Sequence, residues 1–181
     1  MTNQKLFMIL LGCKPQGRHT EQHDIFFAIA NEVKELVPAI NAFWPEANGK
    51  IHLDAYRIVN NVNGYKVEVV ERSSKADVAN RLFFMNLGGY QSNVFEELHY
   101  KMLMVADEKA TAIKEAKENE FFTQYFSPHI DDKYGVDVDD VFEIEDVLPK
   151  EMKTKYQLIF TPMDGLSEDE IVLGYMPISK L

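Results

Sequence analysis

The sequence predicts an α+β protein made of two tandem β-β-α-β-β repeats with mainly antiparallel sheets, followed by a short C-terminal β extension. Three observations lead to this prediction. Short apolar runs alternate with polar loops, a few stretches carry apolar residues at helical spacing, and the first half of the chain resembles the second half at a constant offset. With 181 residues, of which 46% are hydrophobic, the chain is long enough to bury a core.

The internal repeat becomes visible when the sequence is shifted by 76 positions. Without any gap, the identical pairs are Leu6 and Leu82, Phe7 and Phe83, Leu11 and Leu87, Gly12 and Gly88, Glu21 and Glu97, His23 and His99, Ala30 and Ala106, and Glu32 and Glu108. A one-residue insertion then aligns His52 and Asp54 with His129 and Asp131. We therefore expect repeat 1 at residues 1–76, repeat 2 at 77–148, and C-terminal strands at 149–181 that pack on the repeats.

Each repeat begins with two predicted strands. The apolar runs 5–11 and 81–87 are too short for a helix and are typical of buried strands. In the next segment of repeat 2, Leu98, Tyr100 and Met102 are every second residue. Side chains two residues apart share one face of a strand, so this pattern predicts a strand. The corresponding segment 22–30 of repeat 1 is assigned in the same way.

A helix and further strands complete each predicted repeat. Apolar residues lie at helical spacing over 33–43 and 110–116, and Pro38 should kink or restart the first of these helices. The strand that carries His52 leads to Asn63-Gly64, a strong signal for a type I′ hairpin. In repeat 2, the acidic segment 131–151 predicts a solvated strand and hairpin rather than a calcium-binding loop. Two added strands are expected within 149–181.

Net charge limits the possible partners, and cysteine content indicates the cellular compartment. The net charge of −10 and the pI of about 5.0 disfavour nucleic acid and anionic membranes, because both require clustered Lys and Arg. No apolar run approaches the roughly 20 residues of a membrane span. The single cysteine, Cys13, cannot form an intrachain disulfide, which favours a reducing compartment. We expect a soluble cytoplasmic protein without a cofactor, and a homodimer is compatible with the sequence.

The candidate site consists of two short motifs that occur in both repeats. Glu21-x-His23 and His52-x-Asp54 each place a carboxylate and an imidazole on one face of a strand, where they can bind a metal or a ligand, or pair a base with the group that orients it. The alternative is a local hydrogen bond at each strand end. The full set of candidate ligand-binding residues is Glu21, His23, Asp24, His52, Asp54, Glu97, His99, His129 and Asp131.

The sequence also offers two narrower candidate sites. His19, Glu21 and His23 form a His-x-Glu-x-His pattern that offers a metal site in repeat 1 only, because Phe95 replaces His19 in repeat 2. This pattern differs from the zincin motif, which needs two histidines four residues apart on a helix. Cys13 offers a thiol nucleophile near His23, but the repeat has Gly89 at its position. A buried, unreactive cysteine is therefore the favoured interpretation.

The motifs together resemble a known family. The motifs are a strand that ends in Leu-Gly-Gly, then Glu-x-His-Asp at the start of an apolar strand, a helix, His-x-Asp and a Gly-Tyr hairpin. Together they are similar to the bacterial family of unknown function DUF1543, which occurs in one or two copies per chain. The resemblance extends over nearly all of residues 5–148 and implies a tandem two-copy member. It implies no activity. Cys13 and Tyr100 depart from the pattern, at positions where a glycine and an aspartate are usual.

Two functions remain open from the sequence. The leading hypothesis is a ligand-binding or interaction module that carries one Glu/His/His/Asp cluster in each repeat, with a small molecule or a protein as partner. The alternative is a metal-assisted hydrolase that uses the same cluster. Both depend on whether the Glu-x-His and His-x-Asp motifs converge in space, which local sequence does not determine.

Overall fold

The computed structural model describes residues 3–73, 79–118, 127–128 and 138–181. Within this part of the chain, the architecture is α+β with antiparallel strand pairing and few, short helices, which confirms the predicted fold class. The chain divides into two compact units. Unit 1 comprises Met1–Ala76 together with Leu148–Leu181, and unit 2 comprises Asp77–Val147.

Unit 1 contains two antiparallel sheets. The strands of the first sheet are β1 (Lys5–Cys13), β2 (Gln22–Ala30), β3 (His52–Ile58) and β11 (Val172–Pro177), in the order β11-β3-β1-β2. The second sheet has the order β10-β5-β4, with β4 at Asn61–Val62, β5 at Tyr65–Glu71 and β10 at Tyr156–Pro162. The two C-terminal strands therefore pair with β3 and β5, which are both strands of unit 1.

One face of the first sheet carries the core of unit 1. Phe7, Ile9 and Leu11 alternate along β1 and pack with Leu36 and Ile40. Leu36 belongs to a 3-10 helix over Val33–Leu36, and Ile40 belongs to helix α1, Val37–Phe43. Pro38 lies in the first turn of α1, where backbone N–H groups have no hydrogen-bond partner within the helix. The absence of an N–H on proline therefore costs nothing there, and the helix restarts at this point as predicted.

The hairpin between β4 and β5 has the geometry that the sequence predicted. Asn63 and Gly64 connect Val62 to Tyr65, and their φ angles are 34° and 83°. Positive φ at both central residues is the signature of a type I′ turn, whose twist matches that of the two strands.

Unit 2 is built around β6 (Arg81–Tyr90). Its neighbours are β7 (Glu97–Ala106) on one side and β8 (Ser127–Pro128) and β9 (Val138–Glu143) on the other. Helix α2 (Lys109–Lys117) supplies Ala112 and Ala116 to a core that also contains Met85 and Met102. The alternation predicted for β7 is confirmed, because Met102, Met104 and Ala106 share the core face.

A strand predicted in the acidic segment is present as β9, but a helix follows it at positions where the alternation predicted strand. Strand β9 ends at Glu143 and is followed by helix α3, Ile144–Val147. Ile144 is buried at the start of this helix. Helix α4 (Lys150–Lys155) then leads into β10. Burial of Ile144 favours a helix where alternating residues suggested strands.

Candidate functional site

The site is organised around Gly12 at the end of β1. Gly12 lies opposite His23 on β2 and opposite His52 on β3. Residues directly opposite each other in an antiparallel sheet point to the same face, so both imidazoles flank Gly12 on one surface of the sheet. This is the face opposite the one that carries Leu11 and the core of unit 1.

A β-bulge brings Asp54 to the same place. Leu10 pairs with Ala55 and Leu11 pairs with Leu53, so Asp54 is the extra residue on β3. Its Oδ1 atom lies 3.3 Å from His52 Nε2, and its Oδ2 atom lies 3.2 Å from His23 Nε2. The bulge therefore lets one carboxylate contact both histidines.

Glu21 closes the group from the loop that precedes β2. Its Oε1 atom lies 3.3 Å from His23 Nε2 and 3.4 Å from His52 Nε2. The Glu-x-His and His-x-Asp motifs of repeat 1 thus meet, and each histidine nitrogen lies between two carboxylates. We call Glu21, His23, His52 and Asp54 the Gly12 cluster.

Two buried atoms of the Gly12 cluster have no hydrogen-bond partner within the described part of the chain: His52 Nε2 and Asp54 Oδ2. Their neighbours lie at the distances given above but outside hydrogen-bonding geometry. The His52 side chain is only 7% exposed, whereas Glu21 and His23 are 44% and 45% exposed. A buried polar atom left without a partner costs about 1–3 kcal/mol, so this arrangement calls for a compensating interaction.

Gly12 is required by the close approach of these side chains. A Cβ atom at position 12 would collide with His52 Nε2 and would lie 2.6 Å from Asp54 Oδ2. Any other residue would therefore displace the cluster. The Leu-Gly pair noticed in the sequence has a steric explanation, which is that the glycine forms the floor of the site.

The contacts between carboxylate oxygens and imidazole nitrogens have the length of the edges of a tetrahedral metal site, with Asp54 contributing Oδ1 to one histidine and Oδ2 to the other. Zinc bound to nitrogen and oxygen at about 2.0–2.1 Å holds its ligand atoms about 3.3–3.4 Å apart. The four contacts in the Gly12 cluster measure 3.2–3.4 Å. Glu21, His52 and Asp54 also offer one ligand atom each within 4.8 Å of one another. Two imidazoles and two carboxylates are a ligand set that suits divalent transition metals.

Tyr175 is part of the site and was missed by the sequence analysis. Its ring centroid lies 4.3 Å from that of His52, with an angle of 38° between the rings. The residue belongs to β11, which pairs with β3 from the far end of the chain. Nothing local marks Tyr175 as functional, because the strand pairing that brings it to His52 spans more than a hundred residues.

Two residues proposed from the sequence lie apart from the cluster. Asp24 pairs with Leu11 and so lies on the opposite face of the sheet, where its Oδ1 accepts a hydrogen bond from Ile25 N at 2.7 Å. His19 is exposed in the loop before β2. The three-ligand set found in the described residues contains His52 and Asp54 where the His-x-Glu-x-His pattern would have used His19 and His23.

Unit 2 repeats part of this backbone arrangement. His99 lies opposite Gly88, as His23 lies opposite Gly12, and Glu97 begins β7. Leu87 pairs with Val138 and Asn86 pairs with Asp140, so Asp139 is the bulged residue of β9. His129 and Asp131 lie outside the described residues.

Cys13 faces away from the Gly12 cluster. It is buried among the core residues of unit 1, and burial raises the pKa of its thiol, with the negative charge of Glu21 adding to the effect. A protonated, inaccessible thiol is a poor nucleophile, because the thiolate is the reactive form. The cysteine is therefore part of the packing of unit 1.

Comparison with known proteins agrees with the fold and with the motifs. The chain is similar to the crystal structure of a protein Il1583 from Idiomarina loihiensis, with a TM-score of 0.65, 24% identity and 97% of each chain covered. At that identity the likeness concerns the fold alone. A search of curated proteins gives no match. No helix within the described residues is long and apolar enough to cross a membrane.

The part of the chain that matches a family model includes the candidate site. Residues 18–69 match the model of the family described as Domain of Unknown Function (DUF1543). This range contains all four residues of the Gly12 cluster. The match supports the family resemblance inferred from the motifs of repeat 1.

Proposed function

We propose that the protein is a ligand-binding module whose ligand is a single divalent transition-metal ion, held in unit 1 by Glu21, His23, His52 and Asp54. The observation that carries the proposal is the buried His52 Nε2, which has no hydrogen-bond partner among the described residues and faces two carboxylate oxygens at 3.3–3.4 Å. A metal ion would bond to this nitrogen and to both oxygens at once.

Electrostatics supports a cation at this place. Two carboxylates lie within 3.4 Å of the same imidazole nitrogens, and with neutral histidines the cluster carries two negative charges. A divalent cation would neutralise this charge and remove the repulsion between the carboxylates. The two nitrogen donors favour zinc and its neighbours over magnesium and calcium, which prefer oxygen ligands.

A metal-binding titration tests the proposal. The metal-free chain is titrated with Zn²⁺ against a chromophoric chelator, and metal content is measured after gel filtration. We expect one zinc per chain. His52→Ala and Asp54→Asn should lower the affinity at least about a hundredfold, since loss of even an outer-shell partner costs about 10–100-fold.

His19→Ala is the matched control, because it removes an exposed imidazole outside the cluster. It should bind zinc as the unsubstituted chain does. Equal zinc affinity in His52→Ala and His19→Ala would contradict the proposal, as would the absence of stoichiometric zinc in the unsubstituted chain.

A metal-assisted hydrolase is the second candidate function. The observation in its favour is the exposure of Glu21 and His23, because water could take the place of His23 on the ion and leave Glu21, His52 and Asp54 as three protein ligands. A catalytic zinc site keeps one position for water or substrate and lowers the pKa of the bound water. With zinc loaded, turnover of chromogenic ester or phosphodiester substrates that is lost in His52→Ala but kept in His19→Ala would support this function.

A further inference from the structure

We infer that the ion site of unit 1 binds small anions that carry a flat apolar body, with the anionic donor on the ion and the body lying on Tyr175 and Leu173. This inference rests on the proposed metal site and names the class of ligand that it would take.

One side of the site is exposed to solvent. His52 and the extra residue Asp54 lie inward, at 7% and 27% exposure, whereas Glu21 and His23 are nearly half exposed. An incoming donor atom can therefore approach the ion from the solvent side and take the position of the exposed His23, while Glu21, His52 and Asp54 remain as three protein ligands.

Two apolar side chains of β11 lie on the same sheet face as the Gly12 cluster. Leu173 lies opposite Ala55, and Ala55 lies opposite Leu10, so Leu173 shares the sheet face that Gly12 and its cluster occupy. Tyr175 is on the same face, because its ring contacts that of His52. Together these two side chains form an apolar ridge along β11, next to the ion site.

The ridge is unusually exposed. Leu173 and Tyr175 are 76% and 69% accessible to solvent, although each is large and apolar. A bulge in β11 produces this presentation, because the strand has two residues, Gly174 and Tyr175, opposite the single residue Asp54. Gly174 has φ of 141°, a value that residues with a side chain rarely adopt.

The ion site and the neighbouring apolar ridge together define the class of ligand. One face of the Tyr175 ring covers His52, and the exposed remainder of the ring can stack on a second flat group. Ligand sites typically pair an apolar surface with a few polar groups that fix orientation, and here those groups are the ion and its carboxylates. An anionic donor joined directly to an aromatic ring satisfies both parts of the surface.

A comparison of two hydroxamates tests the inference on the zinc-loaded full chain. Acetohydroxamate and benzohydroxamate present the same zinc-binding group and differ in the apolar body. We expect benzohydroxamate to bind about tenfold more tightly by calorimetry. In Tyr175→Ala this ratio should fall to about twofold or less, whereas Tyr175→Phe should keep it.

Met163→Ala is the control for loss of an exposed apolar side chain, because Met163 lies next to the β4–β5 hairpin, where its N–H bonds to Gly64 O. This variant should keep the ratio of the unsubstituted chain. Zinc content is measured on every sample after the titration. An equal ratio in the unsubstituted chain and in Tyr175→Ala, with zinc retained, overturns the inference alone. Failure to load zinc overturns it together with the proposed function.

Discussion

Gly12 shows how a residue without a side chain can define a site. Its position between His23 and His52 follows from strand register, and the space above it is filled by an imidazole and a carboxylate. The sequence indicated this glycine only as an identity shared by two repeats. The structure supplies the physical reason, since the cluster occupies the place where a Cβ would stand.

Gly12→Ala should therefore lower zinc affinity by at least about tenfold, because the added methyl group displaces His52 Nε2 and Asp54 Oδ2 from each other. The chelator competition assay measures this change, and circular dichroism monitors folding. Gly165→Ala is the control. It strains a glycine with φ of 71° but meets no atom within 4 Å. Comparable zinc affinity in both variants would show that Gly12 is not the floor of the site.

Cys13 should react slowly with thiol reagents in the folded protein. Its side chain is buried and its pKa is raised, so the native thiol keeps its proton at a pH where an unfolded cysteine begins to ionise. Reaction with a chromogenic disulfide at pH 8 should be at least about a hundredfold slower than in denaturant. The raised pKa also means that unfolding releases a proton above about pH 8.5, the free-thiol value, so stability should decline as pH rises through that range. Rapid stoichiometric labelling of the native chain would be the contrary result.

Local sequence identified the four residues of the Gly12 cluster but not their contacts. The i, i+2 spacing of Glu21 and His23, and of His52 and Asp54, is enough to predict that each pair shares a strand face. Whether the two pairs meet depends on the register of three strands and on one bulge. The contact between Tyr175 and His52 depends on a fourth strand, β11, and no local sequence pattern connects that strand to His52.

Among the elements, those determined by local chemistry were predicted and those determined by tertiary packing were not. The Asn63-Gly64 turn and the helix restart at Pro38 follow from the conformational limits of glycine, asparagine and proline. The helix at Ile144 follows instead from the burial of Ile144, which the alternating acidic sequence does not reveal.

Gly64→Ala should destabilise unit 1 by about 1–2 kcal/mol, because a residue with a Cβ pays roughly that amount to adopt the left-handed conformation. Gly64 has φ of 83° and no atom near the site of a Cβ, so the cost is conformational rather than steric. Urea unfolding measures the change, and Asn63→Gly is the control that should have little effect. An unchanged urea midpoint in Gly64→Ala would argue against a type I′ turn.

At the scale of the whole molecule, unit 1 is discontinuous in sequence. Local sequence predicted C-terminal strands that pack on the repeats, but not that β10 and β11 pair with β5 and β3 of unit 1. Strand pairing of this kind joins residues about a hundred positions apart, and single-sequence patterns carry no information on it. Residues 1–76 alone therefore lack two strands of their own unit.

A chain in which residues 77–147 are replaced by a short Gly/Ser linker should fold and bind zinc within about threefold of the full chain. The backbone supports such a connection, because Glu71 pairs with Tyr156 and Arg72 N bonds to Lys155 O. Residues 1–76 alone should bind zinc at least about tenfold more weakly, since Tyr175 and the strand that supports β3 are missing. Equal binding by the two chains would contradict the role given to the C-terminal strands.

The most direct test of the central claim is anomalous diffraction at the zinc edge from crystals of the full chain grown with one equivalent of Zn²⁺. We expect one strong peak in unit 1, about 2.0–2.2 Å from His52 Nε2 and from carboxylate oxygens of Glu21 and Asp54, with His23 as the fourth protein donor. A zinc-loaded crystal without a peak between these residues, or with zinc bound only at other surface carboxylates, would contradict it.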